Sequence, residues 1–321
     1  MHKRFVSLSI IFFVGLLVVR LDTAQAQKPS ARQSAEPVQP PHVLSAKESE
    51  VLLSKAANLY YFGISDLKSY TCSVHPDWQA VYKASHNGAA SAPDDPNIRL
   101  LNSVMIVVNK QIEGAATVDW NIPTDAAKSL DENSASLLDA QHEQMEFILG
   151  SILGQWESFV NGETLLDISN GVEITQTGEG YSLRFGEGVG ARTTILNKQL
   201  IIQRYAQAAS DGTSIKSLPK FTSTHDGLLV SSFISYIDRP DAGPGDLQKM
   251  QIDVEYKTVD GFRLPAQLKM IDQNFVKGFD INMDGCKVIR KQSEPGDGTR
   301  AQREEARPEL AGADTPLSAS L

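Results

Sequence analysis

Cysteine is nearly absent: the 321 residues hold only Cys72 and Cys286, so a core must hold the fold without many cross-links. The six histidines (His2, His42, His75, His86, His142 and His225) stand alone, with no H-x-H or i,i+4 pair, and no metal site is expected. A glycine-rich phosphate loop is missing, as is a nucleophile elbow, so the chain reads as no enzyme and needs no cofactor. Positive charge is in deficit. At a formal net charge of −9, nucleic acid and anionic membrane surfaces are poor partners. Long apolar runs are lacking too: Phe5 to Val19 stops at Arg20, short of the roughly 20 residues of a membrane span.

That short run has a different meaning. His2, Lys3 and Arg4 precede it, and Ala24-Gln25-Ala26 follows as a small-x-small cleavage site, so residues 1–26 read as a secretory signal cleaved before Gln27. Cleavage removes Lys3, Arg4, Arg20 and Asp22 and takes the charge from −9 to −11. No cysteine follows the run closely enough for a lipid anchor, which predicts a periplasmic or secreted protein that is not membrane-anchored. In such a compartment Cys72 and Cys286 are expected to pair, the alternative being two buried thiols.

Composition divides the remainder. Residues 27–43 carry Pro29, Pro37, Pro40 and Pro41 among small polar residues and read as a disordered lead-in; residues 292–321 read as a disordered tail. One domain is predicted over 44–291. Ser45-x-x-Glu48 is a capping box that opens a first helix with Leu52, Ala56, Leu59 and Tyr60 on a stripe. Leu138, Met145, Ile148, Ile152, Trp156 and Phe159 recur at helical spacing between about Glu132 and Val160. Almost everything else alternates with period two and is punctuated by turns such as His225-Asp226-Gly227 and Asp260-Gly261, giving roughly a dozen antiparallel strands. The fold class is mainly β (α+β): a large curved antiparallel sheet forming an unclosed β-barrel, with helices as a lid over its concave face.

The stretch FDINMDGCK, Phe279 to Lys287, opens like a calcium loop but places Lys291 at position 12, where a bidentate Glu belongs. A bulged strand explains it better. Phe279, Ile281 and Met283 share a face, the apolar positions then slip to Cys286 and Val288, and a bulge at Asp284-Gly285 absorbs the slip and brings Cys286 toward Cys72.

The element order and the hairpin Val254-Glu255-Tyr256-Lys257-Thr258-Val259-Asp260-Gly261-Phe262-Arg263-Leu264-Pro265 resemble the LolA/LolB-like family of outer-membrane lipoprotein-sorting carriers, over about Leu44 to Lys291. The resemblance implies an unclosed barrel lidded by helices around an apolar cavity that shelters acyl chains of lipids or lipoproteins, with envelope proteins as further partners. The long Asp77 to Pro96 connection, the chain ends and the cysteine pair depart from the family, and no ligand-gating residue is carried over. The candidate ligand-binding lining is Val104, Ile106, Val118, Trp120, Ile252 and Val254, with Leu183, Ile202, Phe233, Leu264 and Leu268 on the same inner faces; Met145, Ile148, Ile152 and Trp156 form the lid. The expected function is an exported soluble carrier or binding protein for lipids or lipid-modified proteins. The alternative is a noncatalytic envelope structural or assembly module with a filled core, and the inner volume separates the two.

Overall fold

The computed structural model describes residues 40–85, 95–128, 130–166, 171–188, 190–208, 212–238, 248–272 and 278–291. The expected signal, the expected tail and all but the end of the expected lead-in lie outside the described residues. The folded body starts before Leu44, because β1 (His42–Val43) pairs with β5 (Val172–Gln176) through His42↔Gln176 and Val43↔Thr175.

Helix α1 (Ala46–Ala57) starts where the capping box places it: Glu48 N–H donates to Ser45 Oγ, and Ser45 N–H donates to Glu48 Oε2 at 2.8 Å. The Ser45 hydroxyl and backbone hold the Glu48 carboxyl below the usual carboxylate range. The long helix α5 (Glu132–Val160) is capped by Asp131, whose Oδ1 accepts from Ser134 N–H at 2.8 Å. Short helices α4 (Thr124–Ala127) and α6 (Glu163–Leu166) flank it.

Two further helices occupy ground that the sequence reading leaves as connection and strand. α2 (Trp78–Ser85) follows Asp77, whose Oδ1 accepts from Ala80 N–H at 3.0 Å. α3 (Pro96–Ser103) follows Asp95, whose carboxylate accepts from Asn97 N–H at 2.8 Å, with Pro96 in the first turn. Val104, expected within a strand, is instead the C-cap of α3. An Asp directly before each helix, and Pro at the start of the second, were the available signals.

The sheet has thirteen strands in the order β1-β5-β6-β7-β8-β9-β10-β11-β12-β13-β2-β3-β4, with every ladder antiparallel and the sheet unclosed. Its strands are β2 (Leu67–Pro76), β3 (Met105–Gln111), β4 (Ala116–Asn121), β6 (Gly180–Phe185), β7 (Arg192–Asn197), β8 (Ile202–Ala208), β9 (Ser214–Thr224), β10 (Gly227–Asp238), β11 (Gln248–Val259), β12 (Phe262–Asp272) and β13 (Phe279–Arg290). The edge strand β4 packs against α5, where His142 Nε2–H donates to the Val118 carbonyl at 3.1 Å. Helix cover of this kind keeps an edge from pairing with another chain.

Between β13 and β2 the register steps from Asp284↔Ser73 to Lys287↔Thr71, so Gly285 and Cys286 stand opposite Cys72 alone. Gly285 takes φ +55° in this bulge. The Cys72 and Cys286 sulfurs are 2.02 Å apart, a disulfide across neighbouring strands. The oxygens of the calcium-like stretch serve the sheet. Asp280 and Asn282 accept from Gln267 Nε2 at 3.2 and 3.1 Å, and Asp284 lies 3.2 Å from His75 Nε2.

Candidate functional site

Two apolar clusters divide the buried face. One lies beneath α5 and takes in β2, β3, β4 and β10 to β13; the other lies beneath α1 and takes in β5 to β8. The candidate lining falls into the first. Val104, Ile106, Val118, Met145, Ile148, Ile152, Trp156, Ile252 and Val254 are buried in it, and Trp120 packs against it half-buried. Leu183 and Ile202 belong to the other cluster.

The residues come together, but against one another. Met145, Ile152, Trp156 and Ile252 are each 0% exposed, so no water-sized sphere touches them, and in this conformation no hollow wide enough for an acyl chain lies against their side chains. Polar anchors reinforce the closure. Trp156 Nε1–H donates to the Tyr256 hydroxyl at 3.1 Å, which donates to the Val230 carbonyl at 2.6 Å, and the Tyr70 ring meets Trp156 edge-on at 6.1 Å. Trp120 stacks on His142 at 5.4 Å and meets Trp78 edge-on at 6.1 Å. Burial pushes the Tyr70 and Tyr256 hydroxyls up, so both stay protonated.

Several polar groups enclosed here bond to one another. Lys110 pairs with Glu157, and the Gln155 side chain accepts hydrogen bonds from Ser217 and Ser235. Among the described residues no cluster of three or more His, Cys, Asp or Glu is arranged to hold a metal ion.

Open space lies elsewhere. A groove of about 660 Å³ runs between α1 and the sheet at β5, β6 and the β7–β8 turn. Leu44, Val51, Leu52, Tyr181 and Leu200 give it an apolar floor, while Lys47, Lys55 and Lys198 stand around it with Ser45, Glu48 and Gln176. None of the candidate lining residues borders it.

Local geometry fixes this floor. Leu44 N–H donates to the Ile174 carbonyl at 2.9 Å and ties the start of α1 to β5. Leu200 sits at φ +63° in a turn whose Asn197 Oδ1 accepts from Gln199 N–H and Ile201 N–H, each at 2.9 Å. The Tyr60 hydroxyl donates to the Leu200 carbonyl at 3.0 Å and accepts from Ile202 N–H at 2.7 Å, locking the turn to the end of α1. A signal for the groove is present in the sequence: Lys47, Val51 and Lys55 recur every four residues, an apolar position between two cations on one helical stripe.

A smaller hollow of about 210 Å³ lies among α2, α3 and α5, bordered by Trp78, Val81, Tyr82, Leu101, Leu137 and the amides of Asn97 and Gln141. Comparisons with protein-family models, with curated proteins and with solved structures return no match to this chain.

Proposed function

We propose that this chain is a noncatalytic exported carrier or binding protein for lipids or lipid-modified proteins, and that the acyl chain lies in the groove between α1 and the β5–β8 end of the sheet. The groove carries the reading. Its volume of about 660 Å³ falls in the range of small-ligand sites, and its floor is apolar. Each methylene fully buried there gains about 0.8 kcal/mol, and such binding calls for no nucleophile, metal or cofactor. The Cys72–Cys286 disulfide is compatible with the oxidising compartment that export to the periplasm or beyond requires.

The closed interior beneath α5 favours a second reading, a noncatalytic envelope structural or assembly module. With Ile152 and Trp156 at 0% exposure, lipid entering between α5 and the sheet has to displace well-packed side chains. For the same reason Ile152→Glu should unfold the protein, because it places an unpaired charge in a filled core.

Native mass spectrometry after mild purification, with titration of hexadecanoic acid into the folded protein, separates the readings. Co-purifying lipid or saturable binding supports the carrier. Absence of both sinks it and leaves the module.

A further inference from the structure

The groove is charged in the sense opposite to the chain. Within a protein of formal net charge −9, Lys47, Lys55 and Lys198 border one hollow with Glu48 as its single acid. Lys47 and Lys55 flank the exposed Val51 on α1, and Lys198 faces them from the β7–β8 turn. Lysines in salt bridges among the described residues are Lys110, Lys128 and Lys291, none of them at the groove. Glu48 is engaged, since its Oε2 accepts from both the Ser45 backbone N–H and hydroxyl.

Resting on the binding function proposed above, we infer that the groove selects a free long-chain fatty acid, its chain on Val51, Leu52, Tyr181 and Leu200 and its carboxylate among Lys47, Lys55 and Lys198. Apolar floor and cationic rim match the two ends of such a molecule. Lysines are mobile point charges without the fork that reads phosphate bidentately, so they recognise charge more than shape. Glu48 on the same rim opposes a more highly charged head. The volume suits one chain in a hollow open to solvent.

Isothermal titration of the full mature chain at pH 8 compares hexadecanoate, hexadecanol and hexadecyl phosphate below their aggregation thresholds. Hexadecanoate is expected to bind about tenfold more tightly than hexadecanol at low salt, an advantage that shrinks as salt screens the exposed lysines. Lys47→Gln/Lys55→Gln/Lys198→Gln should bring the two ligands level. Val51→Trp, a change at a half-exposed position that fills the groove, should abolish binding of both while circular dichroism shows an unchanged fold. Equal wild-type affinity for acid and alcohol overturns the selection of an anion and leaves acyl binding standing. Binding of neither overturns both. Wild-type affinity in Val51→Trp removes the groove as the site, and a tighter hexadecyl phosphate complex overturns the fatty-acid assignment.

Discussion

Lys110 and Glu157 form an ion pair inside the protein, with side chains only 1% and 6% exposed. All three Lys110 donors are used, and each Glu157 oxygen has a partner. Lys110 Nζ also donates to the Gln111 and Gly114 carbonyls, each at 2.6 Å, and Glu157 Oε1 accepts from Glu113 N–H. The pair therefore fastens the last turns of α5 to the β3–β4 turn. Removing one partner strands the other charge: Lys110→Met should cost about 3–5 kcal/mol in urea unfolding. Lys110→Met/Glu157→Leu should recover most of that loss, because two apolar side chains carry no desolvation penalty; a double variant as unstable as the single would show that the turn depends on the charges themselves.

Alkaline pH should unfold the protein cooperatively. Burial raises the hydroxyl pKa of Tyr60, Tyr70 and Tyr256, with Tyr70 pushed further by the Glu157 carboxylate. The folded state thus keeps protons that the unfolded chain releases near the ordinary tyrosine value of about 10. Stability from these groups is fully present below that pH and falls as pH rises beyond it. Urea midpoints measured upward from pH 8 should hold steady and then drop above about pH 10, with tyrosinate absorbance rising together with unfolding. The Tyr70 hydroxyl has no hydrogen-bond partner among the described residues, so Tyr70→Phe should add about 1 kcal/mol at neutral pH and soften the alkaline drop.

Breaking the Cys72–Cys286 bond should lower stability without rearranging the sheet. The bond closes a sequence separation of 214, and the chain-entropy model sets an upper bound of about 5 kcal/mol on its contribution. Cys72→Ala/Cys286→Ala should melt at lower temperature with an unchanged far-ultraviolet spectrum at 20 °C. Native protein should also resist thiol alkylation until reduced; ready alkylation would contradict the bond.

Gly227→Ala should be costly for its size. Gly227 has φ +117°, and an added Cβ would stand 2.8 Å from the Tyr60 carbonyl carbon and 2.9 Å from the Leu59 oxygen. The close approach allows Leu228 N–H to donate to the Leu59 carbonyl at 2.7 Å and Tyr61 N–H to the Leu228 carbonyl at 3.0 Å. A loss of about 1–3 kcal/mol is expected in denaturant unfolding. Wild-type stability in this variant would mean that the linker after α1 shifts freely.

Elements with a short local code were legible in the sequence. The capping box at Ser45 and Glu48 marked α1, the apolar stripe from Leu138 to Phe159 marked α5, and the face change after Met283 marked the bulge at Gly285. α2 and α3 were missed because Trp78 to Ser85 and Pro96 to Ser103 are two turns each, too short for a helical period to stand out beside the strands. Period also told which side chains face inward, and it brought Ile106, Val118, Ile152, Trp156 and Ile252 into one cluster. It could not tell whether they meet. Contact depends on the distance between α5 and the sheet, which anchors far apart in sequence determine, such as Trp156 to Tyr256 and Lys110 to Glu157. The groove depends likewise on Tyr60 reaching the Leu200 turn.

Because Cys72 and Cys286 are joined across a sequence separation of 214, the intervening polypeptide is covalently a ring, with β1 and α1 on the segment before it and the end of β13 on the segment after it. A protease that cuts once in any exposed connection between them opens the ring without releasing a fragment. The cut ends remain tethered through neighbouring strands β13 and β2, and the product travels as one molecule until a reductant separates it into two. In the extracytoplasmic setting proposed above, rich in proteases and poor in reductants, a single nick is therefore damage the molecule can outlast.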